Sequence, residues 1–468
     1  MKHIEKFLNS FYYIAFIFIF TFISWTFFKE TPPHYFNLYN MIGVLTLVVF
    51  LVFVLVSFEN TLYAMPILIG FLFIINHPSL TFDSTTLIFP IISVALIIIS
   101  FVVHIIRFKP VFRRGRFFLG FLLLAIAYLI PLLYTPFQFK ALPVSLLGAT
   151  YLGFYVFFTS TTKGNIDYLF KMMLIINLLL CFQMVVYIMN GYIQHPELTF
   201  YERLLVGWDR NLGWANVNDM CFYISLTAPS YVYFIFKKPK TYLIWFLMLI
   251  PILIIILSKS RGGVIGFGVA VIGLIYFSIY QGQKVQLKHG ILFLSFLIIF
   301  FIVNRDVIIL WWQYFNDTAT GDLNEFSSNR LFLYREGWRI FLRNPLFGAG
   351  WLSIDEVAEL WYLEYGAYQR LFMFHSTLFH TLATMGLFGL VGLIIHYTQI
   401  FKFIFQHLTL EKYLFVIGYI ASQVHGLIDN VQFAVPYSIL MVVFLSVFET
   451  SKVDTLFETV NNKYKLIH

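Results

Sequence analysis

The chain has 468 residues, of which 60% are hydrophobic, only 12% are charged and 57 are phenylalanine, a balance that excludes a soluble multidomain protein. The formal net charge of +8 is dispersed along the chain and gathers into no single basic face, so no nucleic-acid partner is expected. Cys181 and Cys221 both fall inside apolar runs, which excludes a disulfide framework.

Apolar stretches of about 17 to 25 residues recur from end to end, each long enough to cross a hydrocarbon core roughly 30 Å thick as a helix. They are continuous rather than alternating, which selects helices over a barrel. Fourteen spans are expected, at about 11–28, 38–57, 62–76, 87–106, 117–134, 141–159, 168–189, 215–236, 242–258, 262–280, 289–304, 376–400, 413–427 and 432–448. Lys2 and Lys6 precede the first, which is long and lacks a small-residue cleavage site, so it reads as an uncleaved span. The fold class is therefore all-α, a polytopic protein whose surroundings are the lipid bilayer.

Charge sets the orientation. With the N-terminus cytoplasmic, the inward connections carry Arg107, Lys109, Arg113, Arg114 and Arg116, then Lys237, Lys238 and Lys240, then Lys284, Lys288, Lys402 and Lys412. Fifteen of the nineteen cations assigned to the inner side are lysine, whereas nine of the twelve assigned to the outer side are arginine. Topology needs only positive charge. The planar guanidinium fork grips phosphate or carboxylate bidentately, which lysine cannot do. An arginine-rich outer face thus points to anion recognition there, with lipid headgroups as the alternative ligand.

Two outer connections exceed a turn. The first, 190–214, contains Arg203 and Arg210. Asn216, Asn218 and Asp219 follow at the outer end of the eighth span, as caps or as substrate contacts. "SKSRGG" at 258–263 then sets Arg261 directly against the apolar tenth span. The second connection, 305–375, is far longer than ordinary loops and so is expected to be folded or functional. Within it, Ser327 or Ser328 caps a helix that "NPLFGAG" terminates through Pro345, Gly348 and Gly350. Leu331, Tyr334, Trp338 and Phe341 form an apolar stripe at helical spacing, and Arg335, Arg339 and Arg343 sit four apart near one face. Such a helix lies in the interface with its arginines on headgroups, or it roofs a cavity and offers them to an anionic substrate.

His375 opens the twelfth span at the outer surface, with His380 on a different helical face. A surface histidine is either interfacial packing or a proton acceptor, since this side chain exchanges protons near neutral pH. Gly386, Gly389 and Gly392 allow a neighbouring helix to approach closely. His425 and Asp429 stand one helical turn apart near the outer end of the thirteenth span. A carboxylate there calls for a partner, an outward arginine such as Arg261 or the solvent of a short loop.

These pieces in this order resemble the O-antigen ligase and polysaccharide polymerase superfamily. The resemblance rests on "SRGG" at 260–263, "RLFLY" at 330–334, "PLFGAG" at 345–350 and "FHSTLFHTLATMGLFGL" at 374–390, and spans roughly residues 210 to 430. Ser376 stands where the family often has asparagine. The resemblance implies a GT-C-like fold and glycosyl transfer outside the bacterial cytoplasmic (inner) membrane. It implies an undecaprenyl-diphosphate-linked oligosaccharide as donor, no metal and no other cofactor. Carried onto this sequence, it gives catalytic roles to His375, Arg261 and Arg330, and substrate binding to Arg335, Arg339, Asp429, Asn218 and Arg210. Polysaccharide export or assembly proteins are the further partners it implies.

The chain divides into N-terminal helices (1–209), a ligase/polymerase-like core with its outer loop (210–448, loop 305–375) and a cytoplasmic tail (449–468). Fourteen spans and a second outer loop at 190–214 favour a polymerase, which handles two glycan-lipids, over a ligase with a lipid A core or other acceptor. A lipid-linked glycan transporter is the alternative of another class. Transporters tend to show internal repeats and midplane charges; here no repeat is visible and the charges gather at the outer surface.

Overall fold

The computed structural model describes residues 2–26, 38–75, 88–134, 138–194, 196–197, 217–237, 242–258, 260–280, 330–351, 374–406 and 408–451, with isolated residues 291, 295, 298, 302, 305, 309 and 327. The expected eleventh span, Arg210 and most of both outer loops lie outside the described residues, as does the tail beyond Ser451. Among the described residues the protein is all-helical. Four helices are long and apolar enough to cross a membrane, or five if the bent pair Lys2–Leu8 and Phe11–Ser24 is one span. Six shorter apolar helices of 10–17 residues accompany them.

The N-terminal half comprises α1 (Lys2–Leu8), α2 (Phe11–Thr26), α3 (Leu38–Ser57), α4 (Met65–Ile75), α5 (Ile88–Phe108), α6 (Phe118–Leu129), α7 (Gln138–Thr161) and α8 (Ile166–Gln194). Burial separates their roles. The apolar window of α5 is only 17% buried, whereas that of α8 is 72% buried. A helix that is hydrophobic all round with one covered face is turned to lipid on the other, so α5 is peripheral and α8 internal.

The second half comprises α9 (Val217–Thr227), α10 (Pro229–Lys237), α11 (Tyr242–Leu247), α12 (Leu249–Leu257), α13 (Arg261–Tyr280), α14 (Arg330–Arg343), α15 (Thr377–Gln406), α16 (Leu410–Gly426) and α17 (Val435–Thr450). Every residue of α17 from Pro436 to Phe448 is buried, which makes it the central post. Polar side chains tie the bundle together where lipid offers no hydrophobic drive. Gln423 donates to Tyr437 OH at 2.7 Å and accepts from Tyr397 OH at 2.7 Å, joining α15, α16 and α17.

Three expected spans are broken rather than continuous. The eighth splits at Ala228 before Pro229, because proline cannot donate into the preceding turn. Asn177 of α8 braces that break, donating to Ile224 O and Thr227 Oγ1, both at 2.9 Å, and accepting from Tyr231 OH at 3.0 Å. The ninth splits at Met248, one turn before Pro251. The twelfth, α15, contains Gly386 at φ 62° and ψ −157°, which no helix accommodates.

Candidate functional site

The break in α15 brings the turn after α14 against this helix. Interrupting a helix at Gly386 orphans the carbonyls of Ala383 and Thr384 and the N–H groups of Leu387 and Phe388. The turn after α14 satisfies all four. Ala349 N–H donates to Ala383 O at 2.8 Å and Gly350 N–H to Thr384 O at 3.1 Å. In return Leu387 N–H donates to Pro345 O at 2.8 Å and Phe388 N–H to Leu346 O at 3.0 Å. The "PLFGAG" turn is thus plugged into the helix break instead of lying in an open loop.

Glycine is required at both faces of this plug. A Cβ on Gly348 (φ +74°) would lie 2.3 Å from Thr384 C, and one on Gly386 would lie 2.6 Å from Gly348 N. Trp351 closes the turn by donating from Nε1 to Tyr128 O at 3.0 Å.

Ser327 caps α14, accepting from Leu331 N–H at 3.3 Å. The helix buries Phe332, Leu333, Glu336, Gly337 and Phe341. Tyr334 stacks on Phe379 of α15, with ring centroids 4.8 Å apart at 12°. The expected apolar stripe is only half right: Phe341 is buried, but Leu331 is 47% and Trp338 45% exposed. Apolar residues occupy two stripes of this helix, and periodicity alone does not say which one meets α15.

The face also separates the arginines. Arg330 reaches inward, 3.8 Å from Asp429 Oδ2. Arg335 and Arg339 flank buried Glu336 instead, at 3.5 and 3.0 Å from its Oε1, with side chains mostly exposed. The Arg335 guanidinium also covers the Phe332 ring at 5.3 Å.

His375 sits just before α15 with φ 45°, a left-handed conformation uncommon outside glycine. Four contacts hold it there. Tyr334 OH donates to His375 O at 3.0 Å. Asn430 Oδ1 accepts from Ser376 N–H at 2.9 Å, and Asp429 O accepts from Thr377 N–H at 3.1 Å. The His375 Nδ1 lies 3.2 Å from Asp429 Oδ1, which also accepts from Asn430 N–H at 2.8 Å. An ionised carboxylate only accepts, so Nδ1 carries the hydrogen, and Nε2 is the ring nitrogen left for a substrate.

Asp429 is the centre of this arrangement. It is buried, and His425 Nε2 lies 3.9 Å from its Oδ2. Burial pushes the carboxyl up; the hydrogen bond from His375 and the charges of His375, His425 and Arg330 outweigh it, bringing it down to about 2. The sequence called for a partner to this carboxylate, an outward arginine or the solvent of a short loop, and the structure supplies Arg330 and both histidines.

The "SRGG" stretch reaches the same turn through its backbone. Ser260 Oγ accepts from Gly263 N–H at 3.0 Å, starting α13, and donates to Asn218 Oδ1 at 2.6 Å. A Cβ on Gly262 would lie 2.7 Å from Ile428 Cδ1 and 3.1 Å from His425 Nε2; one on Gly263 would lie 2.7 Å from Cys221 Cβ. The two glycines therefore let the start of α13, with Arg261 as its first residue, pack between the ends of α9 and α16.

Sequence reasoning thus named His375, Asp429 and Arg330, which the structure joins directly, and Asn218 and Arg261, which it places on the adjoining helix starts. It missed Asn430 and the clasp from Tyr334. Asn430 was visible only as the neighbour of Asp429 in "IDN". It supplies an acceptor for Ser376 N–H, one residue beyond His375.

Comparison with family models finds one described as O-antigen ligase, which matches residues 246–394. That stretch contains "SRGG", "RLFLY", "PLFGAG" and "FHSTLFHTLATMGLFGL", the four motifs on which the resemblance rests. No curated protein matches the chain.

Proposed function

We propose, from the O-antigen ligase segment this chain carries over residues 246–394, that it is a membrane glycosyltransferase working on lipid-linked glycans. The donor in this reading is an oligosaccharide on undecaprenyl diphosphate, and the reaction is displacement at the anomeric carbon with inversion. His375 Nε2 takes the proton of the acceptor hydroxyl, whose oxygen forms the new bond to that carbon. The bond from the carbon to the diphosphate oxygen breaks, and the diphosphate departs with the electron pair.

Charge develops on that leaving group, where preorganised cations are most effective. Arg330 and Arg261 hold it in this proposal, with Arg335 and Arg339 at its outer side and Arg210 and Asn218 contacting the glycan. Asp429 holds the His375 ring through Nδ1 and balances the imidazolium that forms. The observation that supports this most directly is a single buried carboxylate within 3.2 Å of His375 and 3.8 Å of Arg330, the proposed base and a proposed diphosphate ligand.

The fourteen-span GT-C-like architecture, the bacterial inner membrane and an outward-facing site belong to the same proposal. So does polymerisation of lipid-linked repeat units, with polysaccharide assembly proteins as neighbours. The test is reconstitution of the full chain with a lipid-diphosphate oligosaccharide, comparing native protein with His375→Ala and Arg261→Ala. A ladder of products is expected from native protein alone. Product only on addition of a second acceptor assigns the chain as a ligase. Full activity of His375→Ala removes that residue from the chemistry, a change otherwise expected to cost about 10² to 10⁴ in rate.

A further inference from the structure

The central helix α17 starts beside Asn430 and ends at Thr450, at the far end of the bundle from His375. There an open polar cleft of about 1070 Å³ is lined by segments that include Asn9, Asn60, Arg113–Arg116, Thr159–Asp167 and Glu449. The charge bias of the sequence assigns all of these to the cytoplasmic side. The volume suits a ligand of nucleotide or lipid-headgroup size.

The loop between α5 and α6 is pinned over this cleft by its backbone. Arg113 N–H donates to Ser160 Oγ at 2.9 Å and Arg116 N–H to Glu449 Oε1 at 2.6 Å. Phe117 N–H donates to Tyr155 OH at 2.9 Å, and that hydroxyl donates to Glu449 Oε2 at 2.5 Å. Gly115 turns the loop at φ +65°, where a Cβ would strike Tyr155 OH. On the opposite wall Asn60 Oδ1 accepts from Leu62 N–H at 3.1 Å and Lys163 N–H at 2.9 Å.

The acids near the cleft are already engaged. Glu449 holds the loop, Glu59 pairs with Lys163 at 2.6 Å, and Asp167 pairs with Lys171 at 2.7 Å and Lys237 at 2.5 Å. The Arg113 and Arg116 side chains remain exposed. Among the described residues neither has a carboxylate partner; the Arg116 guanidinium covers the Phe403 ring at 5.3 Å.

Membrane topology explains positive charge here but neither a fixed loop nor the choice of arginine. Only four of the nineteen cations assigned to this side are arginine, and Arg107, Arg113, Arg114 and Arg116 all belong to this one connection. We propose that the cleft is a second anion site, distinct from the His375 centre, in which Arg113 and Arg116 bind a phosphate-bearing ligand. That phosphate comes from a free cytosolic phosphorylated compound or from the headgroup of an anionic lipid in the adjacent leaflet.

The experiment has two arms and uses the purified full chain. In detergent, pyrophosphate and ATP are titrated by calorimetry; in nanodiscs, retention of phosphatidylglycerol over phosphatidylcholine is read by native mass spectrometry. Saturable binding in one arm is expected and names the source. Arg113→Gln with Arg116→Gln should weaken it about tenfold or more, the loss of charge-assisted hydrogen bonds. Arg113→Lys with Arg116→Lys keeps the charge and should recover only part of it. Lys2→Gln with Lys402→Gln, an equal charge change elsewhere on that side, should leave binding intact. Absence of binding in both arms, or equal loss in the control pair, overturns the proposal.

Discussion

Asp429→Asn isolates the charge of the site from its shape. The backbone bond from Thr377 N–H to Asp429 O survives the change, so α15 keeps its start. The side chain loses more. Turned one way, the amide nitrogen faces His375 Nδ1 and Asn430 N–H, both donors, and forces His375 into the tautomer with hydrogen on Nε2. Turned the other way, it faces Arg330 and His425 and leaves the guanidinium without an anion. Either way the imidazolium that the proposed transfer generates loses its counter-charge, now 3.2 Å away. Two unit charges about 4 Å apart at an effective dielectric near 20 attract by about 4 kcal/mol. The His375 side chain is 39% exposed, so solvent screening reduces this, and about half is a reasonable working figure. That corresponds to a fall in kcat of roughly thirtyfold. The assay is initial-rate transfer by reconstituted protein at saturating donor, with thermal unfolding in detergent as the fold control. A well-folded Asp429→Asn protein with kcat within about threefold of native would refute the role given to this carboxylate.

The remaining predictions concern stability and positioning. A carboxyl depressed below its ordinary value of 3.8 contributes stability that is complete above pH about 4 and is lost as pH falls through the depressed value, about 2. Native protein should therefore lose stability in that acid window and Asp429→Asn should lose less; matching acid limbs in the two melting profiles would contradict this. Gly386→Ala forces a side chain into positive φ against Gly348 N and should cost about 1–3 kcal/mol or more, seen as a clear drop in melting temperature. An Ala variant as stable as native would mean the plug is not rigid. Asn430→Ala removes the cap on Ser376 N–H and should cost about 1 kcal/mol. It should also lower kcat more than KM, with Asn430→Ser restoring part of both; unchanged kinetics would remove Asn430 as a positioning residue.

Hydrophobic runs made the helical membrane class readable, because crossing hydrocarbon constrains length and composition together. The same runs concealed the breaks at Ala228, Met248 and Gly386, where apolar character continues although the backbone does not. Gly386 read as a close-packing glycine because its partner lies some 40 residues earlier, in a turn whose own glycines read as a helix stop. In the site, residue types were legible and pairings were not. Asp429 plainly required a partner, but that Arg330 supplies one depends on the rotation of α14, which two competing apolar stripes leave undetermined. That rotation also explains why Arg335 and Arg339 turn to Glu336 while Arg330 faces Asp429.

The two non-helical points of this region act on the same short piece of chain. His375 at φ 45° precedes the first part of α15 and Gly386 at φ 62° ends it, leaving a half-helix of about nine residues between them. A helix that short is marginal on its own. Its start is fixed by Asp429 and Asn430, its end by the "PLFGAG" turn, and its flank by Tyr334 and Gly337 of α14. α14 makes the flanking attachment, leads into the turn that fixes the end and also carries Arg330, so the separation of Arg330 from His375 is set by protein contacts rather than by the depth of either helix in the bilayer. A buried carboxylate facing two histidines and an arginine costs desolvation that apolar packing would avoid. Its retention where these attachments meet is understandable if holding a proton acceptor and a phosphate-binding cation at a fixed spacing is the purpose of the assembly.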